Sequence, residues 1–93
     1  MNDWQLIGHC GVDSGQIILV DPCYVIPDRD ENPPKVVYED ILETWDYNQR
    51  PPQRHIPFEM GVVVESGYGD GYYPVYAKFN SEGRLVQAMI DFN

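Results

Sequence analysis

Gly11-Val12-Asp13-Ser14-Gly15-Gln16-Ile17-Ile18-Leu19-Val20-Asp21-Pro22-Cys23-Tyr24 is the stretch whose reading decides the fold. Asp13-Ser14-Gly15 is a turn signal, because glycine accepts positive φ and Asp or Ser can bond the turn backbone. Gln16 to Val20 is a continuous apolar run, as expected of a strand buried on both faces. Asp21-Pro22 stops it, since proline offers no N–H to a ladder. With residues 4–12 as a preceding strand, the stretch predicts a β-hairpin. A two-residue turn over residues 13–16 sets Cys10 opposite Leu19, Cys23 opposite Leu6 and His9 opposite Val20. The two thiols then lie about 13 Å apart along the strand, too far to bridge, so both are expected to be free.

Working outward, Tyr24, Val25 and Ile26 extend the strand past a bend. Residues 27–35 form a polar, proline-rich connection. Val37, Ile41, Leu42 and Trp45 recur at helical spacing, with Glu39, Asp40, Glu43 and Asp46 mostly on the opposite face, which predicts one short helix over residues 37–46. Tyr47 to Pro57 reads as a long irregular loop with three prolines. From Phe58 the pattern is a meander: a buried strand at Gly61–Glu65, a glycine-rich loop at Ser66–Gly71, a strand at Tyr72–Phe79, a turn at Asn80–Gly83, and an alternating strand at Arg84–Phe92. Tyr72 and Tyr76 fall on one face of their strand and Tyr73 on the other, so one set is core and the other surface. The expected fold class is mainly β (or α+β): one domain over residues 1–93, with an antiparallel sheet curled towards a small barrel or sandwich and one short helix.

Twelve aromatics and an apolar content of 43% suffice for a packed core. The net charge of −9 argues against nucleic acid or an anionic membrane as a direct partner, since both need a basic footprint. No run of residues approaches a membrane span, and no basic and apolar leader opens the chain, so the expected location is the cytoplasm.

Two segments have the residue types of a ligand site. In Gly67-Tyr68-Gly69-Asp70-Gly71, three glycines can turn backbone N–H groups towards an anion as a phosphate nest. The same glycines suit a wide turn, and no P-loop or dinucleotide fingerprint is present. Arg50, Arg54 and His55, with Tyr47 and Trp45, could hold phosphate and stack a base, or could form a solvated loop whose arginines offset nearby acids. His9, Asp21 and Cys23 offer a third constellation, in which Asp21 orients a His9 general base across the hairpin. Its alternative is a structural histidine, a turn-capping acid and a small thiol. The chain has only two histidines, and no Cys-x-x-Cys or His-x-x-x-His pair for a metal, so neither metal nor cofactor is expected.

Val12 to Gln16, Asp21 to Tyr24, Gly67 to Val75, and Gly83-Arg84 through Asp91-Phe92 together resemble a family of small uncharacterised proteins from bacteria and their phages. The resemblance implies a shared β-rich domain and no particular reaction. By analogy with phage accessory proteins that blunt bacterial defence, the first expectation is a non-enzymatic, homo-oligomeric protein. It would sequester a phosphate-bearing, nucleotide-like signal through Arg50, Arg54, His55, Tyr47 and the residues of the Gly67–Gly71 loop. The alternative is an acidic inhibitor that occupies the basic surface of a host protein. A small hydrolase using His9 and Asp21 is third.

Overall fold

The computed structural model describes residues 3–26, 38–46, 48, 53–58 and 60–93. It contains β1 (Gln5–Val12), β2 (Gln16–Val20), a single 3-10 turn (Pro22–Tyr24), α1 (Tyr38–Thr44), β3 (His55–Phe58), β4 (Gly61–Glu65), β5 (Gly71–Phe79) and β6 (Leu85–Ile90). The strands form two three-stranded antiparallel sheets, ordered β1-β5-β6 and β2-β4-β3, and no closed barrel is present among the described residues. The fold is mainly β with one short helix, as the sequence pattern implies.

The chain divides into two compact units, one made from the segments up to Gln16 and from Ser66 onward, the other from Ile17–Glu65. In the first, β5 is the central strand. It pairs with β1 from Gln5↔Ala77 to Val12↔Gly71 and with β6 from Val75↔Ile90 to Phe79↔Leu85. Of the odd-numbered β5 residues, Tyr73 and Ala77 are buried, as is Val12 of β1, and they form the core. Tyr73 meets Phe92 edge-on, with ring centroids 5.3 Å apart. Even-numbered residues face outward, and Tyr72 is 73% exposed. The tyrosine alternation therefore resolves with Tyr73 as core.

A proline in a central strand must leave one ladder bond unmade. Pro74 is placed where this costs least. Its carbonyl accepts the Asp91 N–H at 3.1 Å, and the return bond is missing just beyond the Val75↔Ile90 pair. Pro74 thus marks the end of β6. At the other end of β6, Val86 is an extra residue between the Lys78↔Gln87 and Phe79↔Leu85 pairs, which breaks the strict alternation expected over Arg84–Phe92. The Asn80–Gly83 turn is closed by the Asn80 side chain, whose Oδ1 accepts N–H bonds from Glu82 and Arg84.

In the second unit, β4 is central, and Ile56 of β3 and Val63 of β4 form its buried pair in register. Gly61 passes so close to β2 that a Cβ there would collide with the Leu19 carbonyl, which only glycine avoids. Pro57 sits in β3, an edge strand, where a missing donor can face away from the ladder.

Four expectations are corrected. β1 and β2 do not pair: β1 joins β5 and β2 joins β4, so Asp13–Gly15 carries the chain from one sheet to the other instead of closing a hairpin. Tyr24–Ile26 does not prolong β2, because Pro22 at the start of the 3-10 turn and the Asp21 side chain, which accepts the Cys23 N–H at 3.0 Å, favour a local turn. The loop expected over residues 47–57 contains most of β3. Helix α1 is shorter than the expected 37–46, ending at Thr44, whose hydroxyl bonds back to the Asp40 carbonyl.

Candidate functional site

The Gly67–Gly71 loop follows from Ser66, the residue at which the chain leaves β4. Ser66 is fully buried, and its N–H donates to the Gly15 carbonyl at 3.0 Å, tying together the two connections between the sheets. Its hydroxyl donates to the Gly69 carbonyl at 2.7 Å, and the Tyr73 hydroxyl donates to the same oxygen at 2.7 Å. Both bonds require the loop to double back, which it does with positive φ at Gly67 (72°) and Gly69 (99°). The three glycines therefore have a structural explanation. The N–H groups of residues 67–70 have no acceptor among the described residues, and Tyr68 projects from the loop 87% exposed. Asp70 is exposed beside them.

The second predicted cluster is only partly within the described residues: Tyr47 and Arg50 lie outside them. Arg54 and His55 lie at the start of β3, both exposed. The His55↔Val64 register brings Arg54 beside Glu65, and the Arg54 guanidinium donates to the Glu65 carboxylate at 2.7 Å. The guanidinium that would grip phosphate is thus in an internal ion pair. Arg54 and His55 belong to one unit and the Gly67–Gly71 loop to the other.

The third constellation loses its premise with the hairpin. His9 lies opposite Pro74, not Val20, and its ring stacks on Tyr72 with centroids 4.9 Å apart and planes within 6°. This is a diagonal cross-strand contact, since Tyr72 faces Gly11. The Asp21 carboxylate is held below the usual aspartate range, mainly by the backbone N–H of Cys23, so its present role is capping the turn. Cys10 and Cys23 are both unbridged. Among the described residues, no group of three or more His, Cys, Asp or Glu side chains converges as a metal site.

A further cationic side chain, Lys78, lies over the Trp4 ring at 4.5 Å, and Arg84 pairs with Glu82 at 3.5 Å. All three described cations therefore have partners within the chain. Among the described residues, the acids of α1 do not. Glu39, Asp40 and Glu43 are exposed and make no ion pair among the described residues. The Asp46 carboxylate, just past the helix, accepts only the Asn48 N–H among the described residues. Glu39 and Asp40 lie in the first turn, where the helix dipole favours an acid; Glu43 lies near the opposite end, where it does not. Glu39 and Glu43 are also four residues apart, a like-charge spacing that weakens an isolated helix. This is the charge cluster that the helix itself does not account for. The sequence pattern marked these residues as a polar face, but it could not show that none of the described cations pairs with them.

No described helix is long and apolar enough to cross a membrane. Comparison with curated proteins and with solved structures gives no match. Residues 9–90 match the family described as "Protein of unknown function (DUF4241)", and the chain belongs to that family.

Proposed function

We propose that this chain is a non-enzymatic binding protein that occupies a basic, nucleic-acid-binding surface of a protein partner. The observation that carries the reading is the α1 face: Glu39, Asp40 and Glu43 are exposed, unpaired among the described residues and partly opposed by their own helix. A cationic partner surface would supply the counter-charge that the described residues do not. Net charge of −9 would also speed encounter with such a surface by long-range steering. In the phage setting that the motifs resemble, the partner would be a bacterial defence effector.

The test compares retention of bacterial proteins on the immobilised chain and on a Glu39→Lys, Asp40→Lys, Glu43→Lys variant. The reading expects basic proteins on the parent chain that are lost from the variant and released by salt. Retention indifferent to both changes would overturn it.

A second reading keeps a specific observation in its favour. The N–H groups of residues 67–70, with Tyr68 beside them, suit a phosphate-bearing, nucleotide-like ligand. Mass spectrometry of small molecules released from the purified protein tests this. A phosphate-bearing passenger present at one per chain, and unaffected by the α1 reversal, would favour it over the protein partner.

A further inference from the structure

β6 is an edge strand of the β1-β5-β6 sheet, and its six residues, Leu85-Val86-Gln87-Ala88-Met89-Ile90, carry no charge and no proline. Leu85 and Val86 are each about half exposed, and Gln87 and Ala88 are exposed as well. Such an edge is a template for another strand unless something blunts it. Of the other three edges, β2 also lacks charge and proline, but acids lie beyond both its ends (Asp13 and Asp21), so it offers a copy of itself no opposite charge; the remaining two are blunted or repel themselves. β3 carries Pro57, and β1 is flanked by Asp3 and Asp13, so an antiparallel copy of β1 would set acid against acid.

The ends of β6 differ in sign: Arg84 precedes it and Asp91 follows it. Backbone direction fixes how two copies could meet. The Asp91 N–H points at β5, where it meets the Pro74 carbonyl, so in the alternating strand Met89 and Gln87 also bond inward. Ala88 and Ile90 then present their N–H and C=O groups to the open edge. An antiparallel pair centred on Ala88 opposite Ala88 exchanges two bonds there. It places Gln87 opposite Met89 and the bulged Leu85–Val86 step opposite Ile90. The bulge restores side-chain phase, so Arg84 of one copy lies opposite Asp91 of the other, on the same face, twice by symmetry. Arg84 has only a 3.5 Å pair with Glu82, more than 70% exposed on both sides, to give up.

We propose that two copies of this chain associate through β6 about a two-fold axis at Ala88, joining their three-stranded sheets into one of six strands, with Arg84 and Asp91 of opposite copies in register. The closed two-fold satisfies both edges at once. One short strand pair buries less than the ~1,600 Å² of a standard interface, so the dimer dissociates on dilution. Screening the charge of −9 on each copy strengthens it, whereas salt weakens the α1 contact with a basic partner.

Sedimentation equilibrium of the full chain across a concentration series tests the proposal. The expected mass rises from that of one 10.7 kDa chain towards two as concentration increases. Ala88→Pro removes an outward N–H without removing an inward one, and should hold the protein at one chain while circular dichroism stays unchanged. Arg84→Glu should weaken the dimer about tenfold by setting like charges opposite each other twice. Adding Asp91→Arg to Arg84→Glu should restore it. A single-chain mass up to about 1 mM would overturn the proposal. A dimer that the charge swap leaves indifferent would overturn the register, and with it the proposed edge, even if Ala88→Pro failed to fold.

Discussion

The Ser66–Gly71 loop and the α1 face treat their polar groups in opposite ways. In the loop, the Ser66 hydroxyl, the Ser66 N–H, the Tyr73 hydroxyl and the Gly69 carbonyl are all used to hold the chain where it changes sheets. On α1, three carboxylates face solvent with no cation of the described chain beside them. The glycine-rich loop carries the residue types of a ligand site, yet most of its distinctive chemistry is explained by folding. The plain acidic helix has the chemistry that the described part of the fold leaves unexplained. Residue type alone is thus a poor guide to function; whether each polar group already has a partner discriminates better.

Substitutions can break this contrast. The largest expected effect is at Gly61, where Gly61→Ala forces β4 away from the Leu19 carbonyl and should cost about 2–3 kcal/mol in denaturant unfolding. Ser66→Ala comes next. It removes one of the two bonds to Gly69 from a fully buried position and should cost about 1–2 kcal/mol. Tyr73→Phe, which keeps the ring against Phe92, should cost about 1 kcal/mol. Hydrogen exchange at the Ser66 N–H, which bonds the Gly15 carbonyl, should rise in both variants. If neither variant loses stability, the loop is not structural and its ligand reading gains.

Glu43→Lys sharpens the other side of the contrast, because stability and binding should move in opposite directions. Removing a like-charge i, i+4 pair and an acid near the helix C-terminus should stabilise the fold by about 0.5 kcal/mol. The same change should weaken retention of a basic partner. Loss of both stability and binding would mean that Glu43 has a structural role instead.

The smallest effect is at Asp21, read by pH. Its carboxyl is held low by the Cys23 N–H, so the folded state favours the ionised form. The associated stability is present above the unfolded-state pKa and is lost as pH falls through the depressed folded value. An NMR titration should place the Asp21 midpoint below the usual aspartate range, and Asp21→Asn should remove that acid-limb contribution. A normal midpoint would contradict the cap.

Much of the strand content was legible. Gln16–Val20 and Gly61–Glu65 are strands at the bounds that their apolar runs predict, and the Tyr72–Phe79 strand differs only by the addition of Gly71. Pairing was less legible, because Asp13-Ser14-Gly15 suits a hairpin and a passage between sheets equally well. What decides is long-range: Gly61 admits β2 against β4, and Ser66 ties Gly15. β3 was hidden by Pro57, which reads as a strand breaker until the strand is known to be an edge. The Arg54–Glu65 pair followed β3 into obscurity, since only that pairing brings residues eleven apart together. The acids of α1 were visible as a pattern, but that none of the described cations pairs with them depends on where Arg54, Lys78 and Arg84 fold.

The most direct test of the central claim is retention of bacterial proteins by the immobilised chain, run beside the Glu39→Lys, Asp40→Lys, Glu43→Lys variant at about 0.05 M and about 0.5 M salt, on either side of the range where surface charges are screened. The account predicts a basic, nucleic-acid-binding protein held by the parent chain at low salt, released at high salt and absent from the variant. A partner held equally by both chains at both salt concentrations would contradict it.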